Sequence, residues 1–275
     1  MRFGICANPG SFPARSGETP AAALRRSLAT LRDEGADYIE FTVSAVFPEG
    51  SAQEFDQLYA ALEGAALKAE AFNSFIPKHH SITGPSVNLE KVLAYCRVAL
   101  ERCKALGGDV VVLGSAGARK IPDGFDHARG EAQFVEFCRA LDPLAVEIGI
   151  DIAIEPLNSK EDNLVRTVEH GIRLVDTIKG KRIHLLADLY HMAEDKEPVT
   201  NAAKAGARLV HTHVADLGRV APGFAPNGEE DFVGFFRALK SAKYDRRCSF
   251  EGRFESIEKQ SKPLLKLLKR RWKEA

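Results

Sequence analysis

The stretch that decides the fold is Asp151 to Asn158, DIAIEPLN, in which the apolar run Ile152-Ala153-Ile154 ends in Glu155 followed by Pro156. A short apolar run bounded by turn-forming residues reads as a buried strand, and proline cannot extend its hydrogen-bonded ladder. A carboxylate ending such a strand is costly to desolvate unless something positive meets it. The same grammar recurs on both sides of the stretch. Going outward, the apolar runs are RFGICA, DYIEFT, KAEAFNS and DVVVLG before it, and HLLADL, ARLVHTHVAD and RCSFEG after it.

Between these runs lie amphipathic segments of helical period, such as AAALRRSLATLRDEG, NLEKVLAYCRVALERCKALGG and DNLVRTVEHGIRLVDTIK. Gly35, Gly107 and Gly180 stand where left-handed helix caps are expected. Only the sixth connection, near PVTNAAKAG, carries a short, weak helix signal. Eight strands alternating with about eight helices predict an α/β fold of the (β/α)8 TIM-barrel type, with an open doubly wound sheet as the competing arrangement. No linker or break in composition divides the 275 residues, so residues 1–275 are expected to form a single domain.

The formal net charge of +0 and pI near 7.1 provide no global basic field, which argues against a nucleic-acid partner. No stretch approaches the roughly 18 apolar residues of a membrane span, and MRFGICANPG reads as a strand entering a turn, so no membrane partner and a cytoplasmic location are expected. The five cysteines lack CxxC pairs or zinc spacing and read as reduced, mostly buried thiols. In the basic run KLLKRRWKEA the leucines and the tryptophan fall at helical spacing, which makes it the solvated face of a terminal helix.

The chemistry gathers at the strand ends. Strand five ends in Glu155, strand six in Asp188, strand seven carries His211 and His213, and strand eight ends in Glu251. A barrel brings such ends around one axis. Taken singly, each has a plain reading: Glu155 paired with a lysine, Asp188 as a helix N-cap, a packed histidine, Glu251 in a surface ion pair. Taken together, three carboxylates and an imidazole would repel one another without a cation, and an oxygen-rich set of this kind suits Mn²⁺, Co²⁺ or Mg²⁺ better than Zn²⁺.

These residues also carry a resemblance. EPLN at strand five, DLYHM at strand six, HTHVADLGR followed by PG at strand seven and FEG at strand eight resemble the xylose-isomerase-like sugar isomerase and epimerase superfamily, most of all its ketose 3-epimerases of the D-tagatose and D-psicose type. MRFGI, and FNSFIP followed by TGPSVN, extend the likeness over the whole chain. The resemblance implies metal ligands at Glu155, Asp188, His213 and Glu251, with Mn²⁺ foremost. It prefers His213 because Arg219 follows it by six, and leaves His211 to packing or support. It implies substrate contacts at Glu161, His191 and Arg219, a sugar substrate, and a homodimer or homotetramer. Ser159 and Lys160 depart from it, since many ketose epimerases carry an arginine and an aromatic residue there.

The expected reaction is inversion at C3 of a ketose through an enediolate, with Glu155 and Glu251 as the acid and base. An aldose–ketose or hydroxypyruvate-type isomerase, or an inosose- or dehydroshikimate-type dehydratase, could share every ligand. A zinc endonuclease of the same superfamily would want more histidines and a basic groove, and a non-catalytic sugar-binding barrel would not need both glutamates. Specificity is assigned to the loops Asn8 to Ser16, Phe75 to Gly84 and Val220 to Asn227.

Overall fold

A computed structural model describes residues 1–226 and 228–275. Its strands are β1 (Arg2–Cys6), β2 (Tyr38–Thr42), β3 (Ala69–Asn73), β4 (Val110–Leu113), β5 (Asp151–Ile154), β6 (Ile183–Asp188), β7 (Leu209–Val214) and β8 (Arg247–Phe250). Each pairs in parallel with its sequence neighbour, and β1 pairs with β8, so the sheet closes into the expected barrel. The helices are α1 (Pro20–Asp33), α2 (Ala52–Leu62), α3 (Leu89–Ala105), α4 (Ala116–Arg119), α5 (His127–Ile148), α6 (Val168–Ile178), α7 (Leu189–Glu194), α8 (Asn201–Ala205), α9 (Phe232–Ser241) and α10 (Ile257–Glu274). The weak sixth connection is the one split into two short helices, α7 and α8.

Two apolar layers hold the barrel. The larger lies between strands and helices, where Leu100, Phe137, Leu174 and Leu264 are buried against the sheet. The smaller fills the lumen with Tyr38, Ala71, Val110, Val112, Ala153, Leu186 and Val210. Gly4 is required here, because a Cβ at that position would come within 2.4 Å of the Tyr38 ring. At the lower end of the lumen Glu70 accepts hydrogen bonds from Arg2 and Arg247, at 2.6 and 2.8 Å. The basic C-terminal run lies in α10, which buries Leu264, Leu265 and Leu268 and packs Trp272 edge-on against Phe236.

One cap differs from expectation. Gly35 and Gly107 take positive φ as predicted, but after α6 the left-handed residue is Lys179, at φ 57°, and not Gly180. Glycine is needed at 180 for space: a Cβ there would meet Ile183 at 2.7 Å and Asp142 at 2.8 Å. The four cysteines Cys96, Cys103, Cys138 and Cys248 are buried, Cys6 is half-buried, and all five are free thiols. No described helix is long and apolar enough to cross a membrane. Of the loops named above, that after β7 includes Asn227, which lies outside the described residues.

Arg119, at the end of α4, is fully buried and fastens the loop that follows β5. Its Nε donates to Asp162 at 2.8 Å, and its Nη atoms donate to the carbonyls of Leu113 and Glu155, each at 2.7 Å. Arg119→Met leaves Asp162 as an uncompensated buried charge and is expected to cost about 3–5 kcal/mol of stability. Urea unfolding measures this, with the double variant Arg119→Met/Asp162→Asn regaining part of the loss. A single variant as stable as the wild type would contradict the assignment.

Candidate metal centre at the strand ends

Residues two apart in a strand share a face, so the inward register that places Ala153, Leu186, His211 and Ser249 also turns Glu155, Asp188, His213 and Glu251 inward one step higher. The ladder sets Asp188 beside His213 and His213 beside Ser249, so three neighbouring strands deliver their groups to one side of the lumen. His213 Nδ1 lies 3.1 Å from Glu155 Oε1 and 3.6 Å from Glu251 Oε2. Asp188 Oδ1 accepts the Tyr190 N–H at 2.8 Å, which makes it the N-cap of α7. Its other oxygen, Oδ2, is buried with no hydrogen-bond partner. Glu251 accepts from Asn73 Nδ2 at 3.1 Å and from Arg219 Nη1 at 3.0 Å.

The packing is tight enough to require a missing side chain. Gly114 follows β4 alongside Glu155, and a Cβ at 114 would stand 2.2 Å from Glu155 Oε2. Ligand-type atoms of Glu155, Asp188, His191 and Glu251 all lie within 4.8 Å of one another. Residues from three strand ends and the helix that follows β6 thus face a single small volume.

Charge dominates this volume. Burial, together with the neighbouring Glu155 carboxylate, pushes Asp188 up to about 8, and burial raises Glu251 as well. Burial would also raise Glu155, but the His213 hydrogen bond and charge outweigh it and hold that carboxyl low. For His213, burial is overcome by the charges of Glu40 and Glu251, and its imidazolium is favoured. Without an added cation, the cluster therefore leans on one imidazolium and on a proton at Asp188 to offset its negative charge. This is the condition that a bound divalent cation relieves.

Above the carboxylates lies a polar wall. His191 Nδ1 accepts the backbone N–H of Asn158 at 3.0 Å, so the neutral ring carries its proton on Nε2. Burial, reinforced by the Arg219 charge, keeps that ring neutral by pushing it down to about 4. Its Nε2 stands 3.6 Å from Asp188 Oδ2. Arg219 lies over the Tyr190 ring at 4.5 Å and donates to Glu161 at 3.0 and 3.1 Å. Arg219 takes φ 57°, a left-handed conformation that its ion pairs with Glu161 and Glu251 hold in place.

All seven residues singled out in the sequence therefore converge: Glu155, Asp188, His213, Glu251, His191, Arg219 and Glu161. The plain reading of Asp188 as an N-cap is also correct, but uses only one of its oxygens. Glu155 has a histidine partner in place of a lysine, and Glu251 pairs with Arg219 inside the centre in place of a surface ion pair. Ser159 and Lys160 turn away from the centre. Ser159 bonds Asp195 through both its N–H and Oγ, and Lys160 pairs with Glu194, fastening this loop to the end of α7.

Glu40 and Asn73 also belong to this centre, though no motif in the sequence marks them. Glu40 is visible as a charge in the middle of YIEFT, and Asn73 as the last residue of AEAFN, within the FNSFIP stretch, but neither carries a role there. Glu40 is fully buried and accepts from His211 Nε2 at 2.8 Å and His213 Nε2 at 3.0 Å. His211 thus packs beneath the centre and bonds Glu40, outside the group of carboxylates.

The chain is 27% identical to the L-ribulose 3-epimerase of Methylomonas sp. (strain DH-1), over 86% of this chain and 80% of that one. It is 29% identical to the 3-dehydro-D-guloside 4-epimerase of Escherichia coli (strain K12), a match spanning 43% of this chain and 44% of the other, under half of each. Among solved structures, that of the D-psicose 3-epimerase with D-tagatose from Clostridium cellulolyticum H10 superposes over 99% of both chains with a TM-score of 0.80 at 17% identity, a likeness of fold. The profile of one family matches residues 28–271, from within α1 to the last turns of α10, and the chain belongs to that family, the xylose isomerase-like TIM barrels.

Proposed function

We propose that this chain is a metal-dependent sugar epimerase of the isomerase class, which inverts C3 of a ketose. The observation that carries the reading is the buried, unpartnered Asp188 Oδ2 among Glu155, His191 and Glu251, with His213 Nδ1 3.1 Å from Glu155. Relatives named as ketose 3-epimerases support the reaction class. Glu155, Asp188, His213 and Glu251 would hold the ion, and three carboxylates with one imidazole favour Mn²⁺, then Co²⁺ or Mg²⁺, over Zn²⁺. When bound, such an ion polarises a carbonyl and offsets the negative charge that builds on an enediolate oxygen.

The protein's own groups supply the rest. Glu155 and Glu251 come from strands three apart around the barrel, so their carboxylates approach a substrate carbon from different sides. One takes the C3 proton and the other returns a proton to the opposite face, which inverts the centre; the reverse reaction exchanges their roles. Asn73 and Arg219 each hold one oxygen of Glu251 and keep it aimed. His191 offers its Nε2–H, and Arg219 its guanidinium, to substrate oxygens, and Glu161 accepts from hydroxyls at the rim. Free thiols accord with action in the cytoplasm, and the partner is the sugar itself.

In deuterium oxide with Mn²⁺ and a panel of ketoses, the expected result is an epimer carrying deuterium at C3, read by NMR. Deuterium at C1 or C2 would show an aldose–ketose isomerase, and loss of a hydroxyl a dehydratase; either outcome overturns the C3 reading. Glu155→Gln and Glu251→Gln are each expected to lower kcat by about 10²–10⁴-fold, the range for loss of a positioned acid or base, with the fold retained by circular dichroism.

A chelator should abolish turnover and lower Tm, and Mn²⁺ should restore both; turnover that persists in the stripped protein removes the cation from the scheme. Gly114→Ala, whose methyl group displaces the Glu155 carboxylate, should cut kcat/KM by about 10²-fold. Wild-type kinetics in that variant would show that Glu155 tolerates displacement.

A further inference from the structure

We propose that Glu40 is the positioning residue of this centre. By holding Nε2–H of His213, it fixes the tautomer and the ring orientation that leave Nδ1 free for the cation. The proposal rests on the metal reading above and adds a residue to it.

Glu40 reaches His213 across the lumen, from β2 to β7, strands that are not neighbours in the sheet. Three side chains donate to its carboxylate, and the Cys6 thiol lies beside it. Oε1 receives His213 Nε2 at 3.0 Å, and Oε2 receives His211 Nε2 at 2.8 Å and Ser249 Oγ at 2.6 Å. Because the single Ser249 hydroxyl proton goes to Glu40, the 2.7 Å contact between Tyr38 and Ser249 must be donated by Tyr38. The chain of donors from Tyr38 through Ser249 therefore has one direction and ends on Glu40, whose ionised form can only accept. His213 must then carry its proton on Nε2, and Nδ1 faces Glu155 and Glu251. Without a cation Nδ1 is protonated as well and donates to Glu155 at 3.1 Å; a cation at Nδ1 would take the place of that proton, and the proton that remains is the one on Nε2, against Glu40.

Two further observations point the same way. The β2–β3 ladder shifts register between Ile39 and Glu40, and the β6–β7 ladder shifts between Leu185 and Leu186, the latter paired with His211. Such shifts re-aim side chains near sites, and these two fall at the two residues that meet under His213. A carboxylate with no exposed surface is also a poor choice for stability alone, since apolar side chains of similar volume commonly do as well in a core. Its hydrogen bond to His213 gives this buried charge a role that an apolar side chain would not fill.

The test uses the full chain stripped of metal, with Mn²⁺ as titrant in calorimetry and Co²⁺ as spectroscopic probe. Glu40→Gln keeps the shape and removes the charge. It is expected to raise the Mn²⁺ Kd by about 10- to 100-fold, the usual cost of losing a partner behind a metal ligand, and to change the visible Co²⁺ band. Val110→Ala, a cavity variant elsewhere in the same lumen, should lose stability yet keep the wild-type Kd and band. A Glu40→Gln protein with wild-type affinity and band, or a Val110→Ala protein weakened equally, overturns the role of Glu40.

Should Glu40→Gln not fold, long-range ¹H–¹⁵N NMR of wild-type protein loaded with diamagnetic Mg²⁺ decides. The proton of His213 is expected on Nε2, and a proton on Nδ1 overturns the proposal. Wild-type protein that binds neither Mn²⁺ nor Co²⁺ removes the metal reading and this one together, whereas the variant results bear on Glu40 alone.

Discussion

The constraint on which the upper half of this barrel depends is the confinement of like charge. Glu155, Asp188 and Glu251 are brought into one small volume because strand ends in a closed parallel barrel have nowhere else to point, and Glu40 adds a fourth carboxylate just beneath. His213 links the two levels, bonded to Glu40 on one nitrogen and to Glu155 on the other. The rest of the local structure serves this balance. Arg219 holds a strained backbone conformation to reach Glu251, and Gly114 gives up a side chain so that Glu155 fits.

The lumen is stratified by the same logic. A salt-bridged floor of Arg2, Glu70 and Arg247 closes the lower end, and an apolar layer follows. The directed hydrogen bonds of Tyr38, Ser249 and Glu40 come next, and the carboxylates lie above them. The apolar layer keeps water from the directed hydrogen bonds above it, which strengthens them. Helices on the outside contribute mainly the apolar area that keeps the barrel shut.

Much of this was legible in the sequence because it depends on local order. Apolar runs spaced by amphipathic segments specify the barrel, and Glu155, Asp188 and Glu251 announce themselves as charges where strands stop. His213 and Arg219 are tied by a spacing of six. What could not be read depends on approach through space. Glu40 looks like one charged residue in YIEFT until β2 and β7 are seen to face each other across the lumen. Gly114 is an ordinary loop glycine until Glu155 is placed against it. Gly180 looks like a helix cap, but Lys179 takes the left-handed turn and the glycine instead admits Ile183 and Asp142. Ser159 and Lys160 stand out by composition, and only their bonds to Asp195 and Glu194 show that they brace a loop.

The pairing of β1 with β8 closes the ring, and it also sets an order in time. During synthesis Glu40, Glu155 and Asp188 leave the ribosome before His213, and Glu251 follows last, on the strand that completes the circle. Until then the nascent chain carries mutually repelling carboxylates with neither the imidazole nor the enclosure that reconciles them. The charged mouth of the barrel is therefore among the last parts to become stable, and the apolar αβ layers must hold the earlier strands together while it waits.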